Sequence, residues 1–136
     1  MFYVKTGAQA MRFADVEALL HNTYWGNDRP AEVIRRSMEH SDCYGVFTED
    51  EDKQIAFARV VTDCATTFYL CDVVVDPAYR GRGVGKLLLD AVHTNPAYAD
   101  QTGLLATRDA QGFYRPYGYA EGGDRLMRRD KKSADR

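Results

Sequence analysis

Tyr69-Leu70-Cys71-Asp72-Val73-Val74-Val75-Asp76-Pro77-Ala78-Tyr79-Arg80-Gly81-Arg82-Gly83-Val84-Gly85-Lys86 is the stretch on which the fold turns. Its first half is a short, largely apolar run closed by the turn pair Asp76-Pro77, and it reads as a buried strand. Val84, Leu87, Leu88, Ala91 and Val92 then fall at i, i+3, i+4, i+7 and i+8, the stripe of an amphipathic helix. The glycines therefore stand at a strand-to-helix junction. Glycine lets a ligand approach the main chain closely, and the free N–H groups of a helix start attract anions. Arg80, Arg82 and Lys86 add positive charge at the same place. A phosphate-bearing ligand is expected here.

Spacing decides which ligand. A Walker A loop would need a glycine at position 80 and Ser or Thr after Lys86, where this chain has Arg80 and Leu87. A dinucleotide fingerprint starting at Gly81 and Gly83 would need its third glycine at Lys86. Both readings fail. What fits is Arg-x-x-Gly-x-Gly after a strand ending in Asp-Pro, here Arg80, Gly83 and Gly85. This resembles the pyrophosphate loop of the GNAT N-acetyltransferases, which hold acetyl-coenzyme A. Downstream, Ala110-Gln111-Gly112-Phe113-Tyr114-Arg115-Pro116-Tyr117-Gly118-Tyr119 resembles the second signature of that family. Gly103-Leu104-Leu105-Ala106-Thr107 before it reads as the short fifth strand. Many members carry Asn three residues before the alanine; here Thr107 stands there.

With 136 residues, 45% of them apolar, the chain has enough for one core, and a single domain over residues 1–128 is expected. A basic tail over residues 129–136 would follow, read as a solvated end. The formal charge of -2 argues against general nucleic-acid binding. No apolar run approaches a membrane span and no signal-peptide pattern opens the chain, so a cytoplasmic protein is expected. Cys43, Cys64 and Cys71 lack metal or redox spacing and read as buried free thiols in a reducing compartment. The scattered His21, His40 and His93 give no support for a metal site.

Elsewhere, residues 2–5 read as a first strand, and Phe13, Val16, Leu20 and Tyr24 as a helix. Pro30 suits the start of a second helix carrying Val33, Ile34 and Met38. Residues 43–48 and 54–62 form a hairpin around the acidic Glu49-Asp50-Glu51-Asp52 turn, and residues 67–75 a fourth strand. The helix after the glycines runs to about Thr94, Asp109 caps a short helix to Tyr117, and residues 119–128 supply the last one or two strands, with Gly122-Gly123 as a tight turn. The order β-α-α-β-β-β-α-β-α-β matches the layout that the resemblance implies. That layout is an α/β fold with a mixed, mostly antiparallel central sheet and helices on both faces.

The resemblance implies transfer of an acetyl group from acetyl-CoA to a primary amine, most simply of a small molecule, by direct attack on the thioester. It implies cofactor contacts from Val73, Val74 and Val75 on the fourth strand and from Arg80, Gly81, Arg82, Gly83, Val84, Gly85 and Lys86 in the loop. Tyr114 matches the tyrosine that protonates the leaving thiolate and also touches the cofactor. Asp72 is a candidate base or substrate contact. Cys71-Asp72-Val73-Val74-Val75-Asp76 resembles Glu-Asp-Val-Val-Val-Asp of glucosamine-phosphate acetyltransferases, with Cys71 where the base candidate Glu stands. Tyr24, Trp25, Arg29 and Tyr69 are the expected acceptor-binding residues. Alternatives are transfer to a protein lysine or N-terminus, and a non-catalytic acyl-CoA-binding module. A homodimer paired through sheet edges is a further expectation from the resemblance.

Overall fold

The structure, a computed structural model, describes residues 1–132. Arg136 and the end of the expected basic tail lie outside the described residues. The chain divides into two compact units, Met1–Ala106 and Thr107–Arg136.

The first unit is built on five strands in the order β1-β2-β3-β4-β5. These are β1 (Phe2–Thr6), β2 (Asp42–Thr48), β3 (Gln54–Thr62), β4 (Thr67–Val75) and β5 (Thr102–Leu104). The first three pairings are antiparallel and β4–β5 is parallel, as the helical crossover between those two strands requires. Around the sheet lie α1 (Phe13–His21), α2 (Ala31–Glu39) and α3 (Val84–His93). β2 is buried at every residue after Asp42, because both of its faces are covered. Cys43 and Phe47 join Phe57 and Val74 in one core with Val16, Leu19 and Leu20 of α1 and Ile34 and Met38 of α2. Tyr44 points to the other face, where its hydroxyl accepts from Asn95 Nδ2 at 2.9 Å and meets the Tyr98 hydroxyl at 2.8 Å. α3 packs there, against β1, β2 and β3. Helices on both faces of a mostly antiparallel sheet are the architecture expected.

Local details differ. α3 buries Val84, Leu88, Leu89 and Val92, whereas Leu87 is exposed, so its buried stripe is turned by part of a step toward Leu89. β5 is shorter than its apolar run and ends at Leu104. Cys43 is buried, but Cys71 is only partly so and Cys64 is exposed in the β3–β4 turn at φ 66°, which corrects the reading of three buried thiols. Gly103 is held to glycine by packing: a Cβ there would sit 2.3 Å from the Phe68 ring, itself stacked on Tyr98.

The second unit holds α4 (Gln111–Tyr114), continued by a 3₁₀ turn over Arg115–Tyr117 and ended by Gly118 at φ 93°. Its cap is not Asp109; Thr107 Oγ1 accepts from Ala110 N at 3.1 Å. The last strand expected over residues 119–128 does not form among the described residues. Leu126 and Met127 are exposed there, so no buried face supports an extended pairing.

Candidate active site

Three structural features of the first unit converge on β4. The first is a notch. β5 pairs with Thr67, Phe68 and Tyr69 only, so from Leu70 onward the β5 side of β4 has no strand beside it. Val73, Val74 and Val75 lie along this stretch.

The second is a bulge. Phe57 pairs with Val74 and Arg59 with Cys71, so β4 takes one more residue than β3 between those pairs. The kink centres on Asp72, whose φ of 55° is left-handed, a conformation Asp tolerates better than most residues. The Asp72 side chain is only 5% exposed and anchors two guanidinium groups. Oδ2 accepts from Arg29 Nη1 at 2.7 Å and from Arg59 Nε at 2.9 Å. Arg59 Nη1 donates in turn to Ser41 Oγ at 3.0 Å. Burial works against the Arg59 charge, yet the adjoining carboxylate of Asp72 more than reverses this and raises its pKa. Beside it, burial pushes the Cys71 thiol up to about 11, and on the same face the Cys43 thiol up to about 12. Both are neutral at physiological pH, which makes neither a ready nucleophile.

The third is the glycine junction. Gly81 and Gly83 are left-handed at φ 77° and 79°, and a Cβ on either would meet only open space. The amides of residues 81–86 make no hydrogen bond among the described residues, while Gly83 O accepts from Leu87 N to start α3. Six consecutive donors beside a helix N-terminus suit a diphosphate. Of the positive side chains, Arg82 lies over the Phe2 and Tyr79 rings and Lys86 pairs with Asp90, whereas Arg80 is exposed and makes no ion pair among the described residues. A diphosphate-bearing cofactor therefore fits the residues present.

Expected acceptor residues fall on the same side. Arg29 lies in the segment between α1 and α2, with its guanidinium 5.8 Å from the Trp25 ring centroid. His21 Nε2 lies 2.7 Å from Arg29 O. Tyr24 and Trp25 are exposed. Tyr69 is exposed on β4 and registers with Val61 on one side and Leu104 on the other. Arg59 and Ser41 were not foreseen; the available signal was a lone arginine at the alternate, inward position of an apolar strand, two residues after Phe57. A separate cleft of about 380 Å³, lined in part by Asp15, His21, Lys53 and Asp76, contains none of the expected site residues.

In the second unit, the Tyr114 ring is buried and meets Phe113 and Tyr119 edge-on. Its hydroxyl has no protein partner among the described residues and keeps solvent access. Burial raises its pKa, so the phenol stays protonated at neutral pH. Tyr119 is pushed up to about 12 by burial and by Tyr114. Among the described residues no group of His, Cys, Asp and Glu is arranged to hold a metal ion, and no helix is long and apolar enough to cross a membrane.

The family model for the acetyltransferase (GNAT) domain matches residues 41–121. A solved GNAT-family acetyltransferase structure from Xanthomonas campestris pv. campestris is 37% identical, covers 96% of this chain and 94% of its own, and superposes with a TM-score of 0.89. Serotonin N-acetyltransferase 2, chloroplastic, of Oryza sativa subsp. japonica is 33% identical over 104 residues, which is 68% of this chain and 48% of that protein. An uncharacterized N-acetyltransferase of Gracilaria tenuistipitata var. liui is 26% identical over 110 residues, 77% of this chain and 60% of its own. This chain thus spans roughly half to three-fifths of the length of these curated relatives. The chain belongs to the GNAT acetyltransferase family.

Proposed function

We propose that this protein is an acetyl-CoA-dependent N-acetyltransferase that acylates the primary amine of a small molecule, with residues 1–128 acting as one catalytic domain. The reading rests chiefly on the row of unpartnered amides at residues 81–86, next to a β4 edge left open beyond Tyr69. Those amides, with Arg80, would hold the diphosphate. The open main chain of Val73, Val74 and Val75 would pair with the pantetheine arm as a missing strand does. A main-chain N–H near Val74 would stabilise negative charge on the thioester oxygen, a kind of donor typically worth about 2.7–4 kcal/mol.

When bound, the coenzyme would supply an acetyl thioester for attack by the amine nitrogen, with a C–N bond formed in place of the C–S bond and the sulfur leaving as thiolate. Tyr114 would support the departure of sulfur by giving the thiolate its phenolic proton, which its raised pKa keeps available at neutral pH, and would take a proton back from solvent before the next turnover. The attacking amine must be neutral; its surplus proton passes to solvent or to the Asp72 carboxylate. Cys71 takes no acyl group, because its thiol remains protonated.

The exposure of Tyr24, at 64%, favours a second reading, in which the acceptor is a polypeptide amine lying over an open surface. Release of free thiol from acetyl-CoA, measured with a library of small amines and with lysine-bearing peptides, tests both. Turnover on peptides alone would overturn the small-molecule reading. Absence of turnover on either, by folded protein that binds coenzyme A, would leave a binding module.

A further inference from the structure

We infer that the acceptor amine carries an anionic group, a carboxylate or a phosphate, read by Arg29 against the Asp72–Arg59 pair; this rests on the acetyl-transfer reading above. The cluster at the β4 bulge holds two guanidinium groups and one carboxylate, while the nearby Cys71 and Cys43 thiols stay neutral. A net positive charge therefore remains in a largely desolvated place, with Arg29 and Arg59 side chains only 22% and 16% exposed. Such a charge attracts an anion strongly once water is excluded.

The donors are free to take it. Only Nη1 of Arg29 is engaged within the described residues, leaving its other N–H groups available. Asp72 likewise uses Oδ2 for both arginines, and Oδ1 has no hydrogen bond within the described residues yet is not sealed from solvent. An acceptor with an amine close to an anion matches this pattern: the amine N–H to Oδ1, the anion to Arg29. On the same sheet face, Val61, Tyr69 and Leu104 form an exposed apolar row across β3, β4 and β5. Val61 and Tyr69 each stand two residues from Arg59 and Cys71, so that row begins about 7 Å along the strands from the cluster. It would carry the apolar body of the acceptor.

Matched amines test the inference with acetyl-CoA: phenylalanine against phenethylamine, and phosphoethanolamine against ethanolamine, by thiol release. In the wild-type protein, at least one anionic member should exceed its neutral partner in kcat/KM by about tenfold or more. The two pairs separate a carboxylate from a phosphate as the group recognised. Arg29→Gln should collapse that ratio, and Arg29→Lys should restore part of it. Neutral members that equal or beat the anionic ones, or a ratio that survives in a folded Arg29→Gln protein, would overturn the inference. If no amine releases thiol, the transferase reading is what fails. Calorimetry of the same compounds on the wild-type protein with coenzyme A then decides, and equal or absent binding within both pairs overturns anion recognition.

Discussion

Arg29 and Asp72 are 43 residues apart in the chain, yet Nη1 of the arginine lies 2.7 Å from Oδ2 of the carboxylate. Through that contact the α1–α2 segment is tied to the bulged centre of β4, while Arg59 ties the same oxygen to β3. One carboxylate thus fixes the expected acceptor-binding segment against the strand expected to carry the thioester.

Removing that carboxylate leaves two guanidinium groups facing each other with no counter-charge. Asp72→Ala is expected to cost about 3 kcal/mol, and Asp72→Asn less, because Asn keeps an acceptor and tolerates the left-handed backbone. Equilibrium urea unfolding measures both. An alanine variant as stable as the parent would show that the cluster does not support the fold.

The glycine junction gives a cleaner test of cofactor binding than of stability. Gly83 is left-handed and faces open space, so Gly83→Asp should fold with a cost on the order of 1 kcal/mol. The added carboxylate would stand beside the diphosphate, and binding of coenzyme A by calorimetry should weaken by on the order of 100-fold. Retained affinity in the folded variant would remove this loop from the binding site.

Tyr114→Phe keeps the buried ring and deletes only the hydroxyl. We expect kcat to fall by about 100-fold with little change in coenzyme affinity. The pH profile carries a second signature. The acid must be protonated, and burial raises its pKa, so activity through this group should be lost only as pH climbs beyond the ordinary tyrosine value of 10.0. A variant with parental kcat would take the tyrosine out of the acid role.

The strands and the junction were legible in the sequence because each carries a local signal: β3 and β4 are bounded by turn residues, and Gly81 and Gly83 mark a backbone that needs positive φ. The features that were not legible depend on register. Nothing in Cys71-Asp72-Val73 marks a bulge, since an aspartate, not a glycine, takes the left-handed position. Arg59 reads as one charge in an apolar strand until pairing with Cys71 sets it beside Asp72. The apolar stripe of α3 misjudged Leu87 and Leu89 because both satisfy helical spacing, and only the packing against β1, β2 and β3 selects between them. The missing last strand has the same origin: the segment after Tyr119 reads as strand by its place in the chain, but a strand exists only where a neighbour accepts its ladder, and Leu126 and Met127 stand exposed.

The buried thiols make stability depend on alkaline pH. Folding raises Cys71 from 9.0 to about 11 and Cys43 from 9.0 to about 12. Below pH 9 both states hold these protons and the thiols contribute no pH dependence. Above it the unfolded chain releases protons that the folded chain retains, so stability falls as pH rises from about 9 through 11. For Cys71 alone the loss by pH 11 is on the order of 2 kcal/mol. Buried Tyr98 and half-buried Tyr119, whose hydroxyls are also raised, add to the decline at higher pH. Replacing both Cys43 and Cys71 by alanine should therefore flatten the earliest part of the decline, measured by urea unfolding at a series of pH values. Iodoacetamide at pH 8.5 should modify the exposed Cys64 first and the other two only on unfolding. Rapid alkylation of Cys71 in the folded protein would mean that its thiolate is accessible, and the neutral-thiol account of the β4 bulge would then be wrong.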